Sequence, residues 1–211
     1  MQLVLASHNA KKLAELRALL GDLGVDLLSQ RELAIAEAEE PHHTFIENAL
    51  AKARHAATVS GHAAIADDSG LCVDALAGAP GVVSAHYAPV AAAEFTGADR
   101  EAQRAVQDAA NNALLLQRMQ GKAERGARFV CTLVAIRHAA DPEPLVAVGR
   151  WPGQILAAPR GEGGFGYDPL MFIPELDCAV AEMDAALKNT RSHRARAMAQ
   201  MRSLLREAWA L

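Results

Sequence analysis

The stretch "RFVCTLVAIRHAADPEPLVAVGRWPGQIL" (128–156) decides the fold class. Two apolar, strand-like runs, 128–138 and 144–156, flank "AADPEP", whose Asp and Pro residues supply the turn chemistry of an antiparallel hairpin. Upstream, "QLVLA" (2–6) reads as a short strand, and "KKLAELRALLGDLG" sets Leu13, Leu16, Leu19 and Leu20 on one helical face before Gly21 and Gly24. Thr44 and Glu47 in "TFIE" form a capping box for a helix that "NALAKARHAATVSG" carries to about Gly61. "AAIA" (63–66) predicts a brief buried strand entering an acidic turn, and "LAGAPGVVSAHYAP" predicts a loop. A helix is expected from about Asp99 to Gln120, an extended segment at "LMFI", and a last helix from about Ser192 to Trp209. Strands alternating with helices, plus one hairpin, predict an α/β domain with a mixed sheet, with no linker or repeat dividing residues 1–211.

The 211 residues suffice to bury a core without disulfides. Hydrophobic content of 51% with only 4% aromatics means alanine-rich helix faces that pack closely. Cys72, Cys131 and Cys178 are odd in number and form no C-x-x-C pair, which fits reduced thiols in a cytosolic protein rather than a disulfide framework or zinc site. The opening run lacks a basic flank and a long apolar core, so neither a signal peptide nor a membrane anchor is expected there. A net charge of −4 argues against broad nucleic-acid binding and leaves room for a local phosphate site.

Four motifs carry candidate chemistry. "SHNAKK" (7–12) lies between the first strand and first helix, where free N–H groups and the helix dipole attract anions; it reads equally as a polar connection. "GEGGFG" (161–166) matches G-x-G-x-x-G in form only. Pro169 and Pro174 follow it where a dinucleotide-binding helix belongs, so its offer reduces to open backbone amides and stacking rings at Phe165 and Tyr167. "KNTRSHRAR" (188–196) gathers Lys188, Arg191, His193, Arg194 and Arg196 at the start of the last helix; it is either a solvated basic face or a clamp on an anionic ligand. The acidic candidates are Glu39 and Glu40 in "EAEEP", and Asp67 and Asp68 in "IADDSG", with Asp74 six residues beyond. Carboxylate oxygens suit Mg²⁺, and strand neighbours face opposite ways, so one aspartate of the pair is expected at a site. Alone, the pair reads as a solvated turn. Together, the four motifs are the parts needed to bind and hydrolyse a nucleoside triphosphate.

"SHNAKK", "TFIENALAKA", "IADDSGLCVDAL", "GAPGVVSA", "GGFGYDP" and "SHR" resemble, in order and spacing over nearly the whole chain, the inosine triphosphate pyrophosphatase family, the Ham1-like or RdgB-like dITP/XTP pyrophosphatases. The resemblance implies a two-lobed Ham1/Maf-like α/β fold around a long mixed sheet with a central substrate cleft. It also implies a cytoplasmic homodimer that hydrolyses noncanonical purine triphosphates (ITP, dITP, XTP) to monophosphate and pyrophosphate with Mg²⁺, without nucleic-acid or membrane partners. Carried over by position, Ser7, His8, Asn9, Ala10, Lys11 and Lys12 match the triphosphate loop, and Asp68 matches the proton acceptor and metal ligand. Ser69, Phe165, Gly166, Tyr167, Asp168 and Lys188 match nucleotide contacts, His193 and Arg194 match the base-recognition pair, and Glu39 or Glu40 matches a second metal ligand.

The chain departs from the family pattern in three places. His8 stands where the family more often has glycine, Leu187 stands where an acidic residue is common, and the stretch from about Pro89 to Gly126 is long. A Maf-like nucleotide pyrophosphatase and a non-hydrolysing nucleotide-binding regulator are the competing readings, and "SHR", "GGFGYDP" and Asp68 favour the first.

Overall fold

The computed structural model describes residues 1–7, 14, 17, 24–91 and 99–211. The expected helix at 11–24 lies outside them except for positions 14, 17 and 24. Among the described residues seven strands form one sheet: β1 Gln2–Leu5, β2 Asp26–Ser29, β3 Ala63–Val73, β4 Gly126–Ile136, β5 Leu145–Ile155, β6 Met171–Ile173 and β7 Cys178–Ala179. Their order is β2-β1-β3-β4-β5-β6-β7. β1 pairs parallel with β2 and β3, whereas β6 pairs antiparallel with β5 and β7, so the sheet is mixed as expected. The helices are α1 Phe45–Ser60, α2 Arg100–Arg118, α3 Ala185–Arg191 and α4 His193–Trp209.

Contacts divide the chain into two compact units. The first comprises Met1–Ser69, Val130–Arg150 and Asn189–Leu211, and the second Gly70–Phe129 and Trp151–Lys188. In the first unit the two-residue period of the strands sorts side chains onto two cores. Leu3, Leu5, Ala63, Ile65, Leu133 and Ala135 meet Ala197, Met198, Met201 and Leu205 of α4. Val4, Ala6, Ala64, Ala66, Val134 and Ile136 meet Ala49, Ala53, Ala56 and Ala57 of α1. With both faces covered, β1 and the first half of β3 read as continuous apolar runs. In the second unit, Leu115 of α2 and Met119, which caps it, are buried with Leu71, Phe129, Trp151, Tyr167 and Leu170.

Local rules set the helix ends. The Thr44 hydroxyl accepts the Glu47 N–H at 3.3 Å and donates to the Glu47 carboxylate at 2.6 Å, while Gly61 at φ 71° closes α1. Asp99 and Ser192 cap α2 and α4, in agreement with the sequence. Gly149 of β5 stands where α4 crosses closely. A Cβ there would overlap the His193 carbonyl.

The β4–β5 connection owes its shape to Asp141. Its buried carboxylate accepts the Arg137 N–H at 2.7 Å and the Glu143 N–H at 3.0 Å. Burial by itself raises its pKa, and these two bonds with the nearby Arg137 charge outweigh it, leaving the pKa below 3.8. Asp141→Ala therefore lowers unfolding free energy by about 2 kcal/mol in urea titration, because two N–H groups lose their acceptor. A depressed carboxyl pKa stabilises the fold above the unfolded value. The parent's advantage is thus full above pH 3.8 and fades as pH falls through the lower folded value.

Candidate active site

β3 does not end at its acidic pair. It runs from Ala63 through Asp67, Asp68 and Ser69 to Val73, with the aspartates 2% and 5% exposed. The expected acidic turn is corrected to mid-strand carboxylates. A strand can carry two buried charges in succession only if each meets compensation on its own face, and alternation sends them to opposite faces.

On the α1 face, Asp68 Oδ1 accepts Lys52 Nζ at 3.1 Å, and Lys52 Nζ also donates to Glu40 Oε2 at 2.9 Å. Asn48, one turn before Lys52, donates to Asp68 Oδ2 at 3.4 Å and exchanges two hydrogen bonds with the backbone of His42. One face of α1 thereby ties both the strand carboxylate and the segment bearing Glu40. Burial alone would lower the Lys52 pKa; the carboxylates of Asp68, Asp67 and Glu40 outweigh it and raise it, so Lys52 is a cation at neutral pH. Glu39, adjacent and exposed, is not the residue that Lys52 joins to Asp68.

Asp68 and Glu40 converge on one positive centre, one carboxylate buried and the other 44% exposed. Two hard oxygen donors, one of them free to adjust, form a set that fits Mg²⁺, which takes one or two protein carboxylates and keeps water in its other positions.

On the α4 face, the Ser69 hydroxyl donates to Asp67 Oδ2 at 2.8 Å, and Arg194 Nε lies 3.8 Å from the same oxygen. Arg194 is 2% exposed, and His193 beside it is also buried. These residues open α4, where the helix dipole opposes a cation, so the buried Asp67 charge compensates both dipole and burial. The solvated-face reading of the basic run thus fails for Lys188, His193 and Arg194, all buried. Arg196 is half-buried and donates its guanidinium to the carbonyls of Arg191 and Arg150 at 3.1 and 2.8 Å, and Arg191 is exposed.

The second unit carries the glycine loop. No helix follows it. Asp168 accepts the Phe165 N–H at 2.9 Å and pairs with Lys188 of α3 at 2.6 Å, and Lys188 Nζ sits 4.3 Å from the centre of the half-buried Phe165 ring. Gly164, at φ 76°, permits this approach, because a Cβ would overlap the Asp168 carboxylate. The expectation that Tyr167 stacks on a flat ring is corrected. Tyr167 is in the core, its hydroxyl donates to Ser84 O at 2.9 Å, and burial first, then the charges of Tyr87 and Asp108, raise its pKa.

Of the triphosphate-loop candidates, Ser7 lies two residues past the end of β1 and donates its N–H to Leu5 O. His8, Asn9, Ala10, Lys11 and Lys12 lie outside the described residues. Sequence reasoning assigned no role to Asn48 or Lys52, although their four-residue spacing within an alanine-rich helix marks a single polar stripe. Among the described residues no helix is long and apolar enough to cross a membrane.

Fold and site define a mixed α/β protein in which Lys52 bridges the buried Asp68 and the exposed Glu40 carboxylates. The profile of the Ham1 family matches residues 3–204, and the chain belongs to that family. It is similar to a dITP/XTP pyrophosphatase of Methylibium petroleiphilum, 68% identical over 99% of each chain, and to one of Leptothrix cholodnii, 66% identical over the full length of both. Among solved structures it resembles a HAM1 protein from Coxiella burnetii at TM-score 0.86 and 40% identity, covering 99% of this chain and 100% of that one.

Proposed function

We propose that the chain hydrolyses dITP, ITP and XTP to the monophosphate and pyrophosphate, with Mg²⁺ as cofactor. The observation that carries this reading is the Lys52 bridge between Asp68 and Glu40 in a chain so similar to proteins named dITP/XTP pyrophosphatases. Asp68 and Glu40, rather than Glu39, would hold Mg²⁺, which when bound neutralises charge on triphosphate oxygens. Asp68 orients the attacking water and accepts its proton as the water oxygen bonds to the α-phosphorus and the bond to pyrophosphate breaks. Asn48 and Lys52 keep the Asp68 carboxylate in one orientation. The Lys52 ammonium, together with Lys11 and Lys12, offsets negative charge on the departing phosphates.

Phe165 supplies a stacking surface, Gly166 to Asp168 supply backbone and side-chain contacts with Lys188, and Ser7 to Ala10 and Ser69 contact the phosphates and sugar. His193 and Arg194 select the base. Hypoxanthine and xanthine present an O6 acceptor to their donors, whereas adenine presents an amino group, a donor facing donors. A homodimer in the cytoplasm completes the proposal and rests on the family resemblance.

The test incubates the protein with Mg²⁺ and each of ITP, dITP, XTP, ATP and GTP and identifies the products. Pyrophosphate from the first three, with ATP at least about 100-fold slower in kcat/KM, is expected; guanine also presents O6, so the GTP rate measures what the 2-position adds. Orthophosphate with a diphosphate product would refute it, and binding without turnover would point to a regulator.

A further inference from the structure

The loop bearing Phe165 is held by a helix distant in sequence. Gly166, at φ 61°, donates its N–H to Asp108 Oδ2 at 2.8 Å, and its carbonyl accepts Asn112 Nδ2 at 2.8 Å. Asp108 and Asn112 are four residues apart on α2, so one helix face grips both polar groups of one glycine. Asn112 Nδ2 also donates to Asp108 O at 2.8 Å, which fixes its rotamer. The next residue toward the N-terminus, the buried Asn111, donates to Ser84 O and Ala85 O at 3.2 Å each and accepts the Ala88 N–H at 2.8 Å. Ser84 O is also the acceptor for Tyr167, so α2 restrains the loop directly at Gly166 and indirectly at Tyr167. A glycine-rich loop has little conformational preference of its own. Its geometry here comes from the helix.

We propose that Asp108 and Asn112 are positioning residues for nucleotide recognition, holding Gly166 so that Phe165 and the Asp168–Lys188 pair meet the substrate in a fixed arrangement. The proposal rests on the reading of Phe165–Asp168 as nucleotide contacts. These contacts are made before and during the reaction alike, so loosening them raises KM and leaves kcat nearly unchanged. The two grips also differ in chemistry. Asp108 acts as an acceptor, a role asparagine's carbonyl fills. Asn112 acts as a donor, a role a carboxylate cannot fill, and Asn112→Asp turns an attraction to the Gly166 carbonyl into a repulsion.

The experiment measures KM and kcat for ITP with Mg²⁺, and the thermal midpoint, for full-length Asp108→Ala, Asp108→Asn, Asn112→Ala, Asn112→Asp, Phe165→Ala and the Asp108→Ala/Phe165→Ala pair. Asp108→Ala and Asn112→Ala are expected to raise KM about tenfold, Asn112→Asp further, with kcat within about twofold and Asp108→Asn within about threefold of the parent. In the double variant, Asp108→Ala adds little to the effect of Phe165→Ala, because both act through one loop. The isosteric Asp108→Asn and Asn112→Asp pair decides the matter if the alanine variants do not fold. If Phe165→Ala raises KM while Asp108→Ala and Asn112→Asp leave it within about twofold, the grip is overturned and the loop reading stands. If Phe165→Ala itself leaves KM unchanged, the loop reading has failed and the proposal with it. Loss of kcat in step with the thermal midpoint, equal for Asp108→Ala and Asp108→Asn, reduces the two residues to structural supports and overturns positioning.

Discussion

Asp68→Asn lowers kcat for ITP hydrolysis by at least about 100-fold while the protein remains folded, the scale expected when a positioned general base is removed. The substitution changes volume little and leaves an oxygen for Lys52, whose ammonium lies 3.1 Å from Asp68 Oδ1. The half-buried lysine also retains Glu40 at 2.9 Å as a counter-charge, so the change is not equivalent to stranding a cation in the core. What is lost is a proton acceptor and the negative charge that a divalent ion requires. Steady-state assays across a wide Mg²⁺ range separate these two. Recovery at high Mg²⁺ assigns most of the loss to metal affinity, and a kcat that stays low assigns it to proton transfer. A variant within about tenfold of the parent, only about 1.4 kcal/mol of barrier, contradicts both roles.

The parts of this site that a sequence reader finds are those with local rules behind them. Thr44, Gly61, Asp99 and Ser192 mark helix ends because capping is a matter of two or three neighbouring residues, and α1, α2 and α4 fall where these marks set them. β3 is misread for the same reason in reverse. "DDSG" has the composition of a turn, and only partners elsewhere in the chain, Lys52 for Asp68 and Arg194 for Asp67, let it continue as a strand. β2 and β7 are too short, at four and two residues, to show a period, and exist through pairing with β1 and β6. Glu39 and Glu40 are indistinguishable in sequence because they lie in an irregular segment. The choice belongs to a lysine on the third turn of α1. The grip of Asp108 and Asn112 on Gly166 spans 58 and 54 residues, and no local pattern announces it.

Arg194→Met destabilises the protein by about 3–5 kcal/mol, because it takes the guanidinium 3.8 Å from the buried Asp67 carboxylate away and leaves Lys52 as the more distant counter-charge. Asp67 is 2% exposed and flanked by buried strand residues, so solvent cannot replace the guanidinium. Ser69 donates one hydrogen bond to Asp67, which solvates one oxygen and does not neutralise the charge. Asp67→Asn/Arg194→Met removes both charges together and recovers most of the lost stability, since an uncompensated charge is costlier than its neutral isostere. Urea unfolding of the parent, both single variants and the pair measures the coupling. An Arg194→Met variant within about 1 kcal/mol of the parent would show that Asp67 is compensated elsewhere. The restored pair also separates structure from recognition. If Arg194 donates to the purine O6, the stable double variant still loses discrimination of ITP over ATP, by about 100-fold in kcat/KM, because the donor that adenine cannot satisfy has gone. Discrimination retained in the folded double variant would confine Arg194 to holding Asp67 and β3 in place.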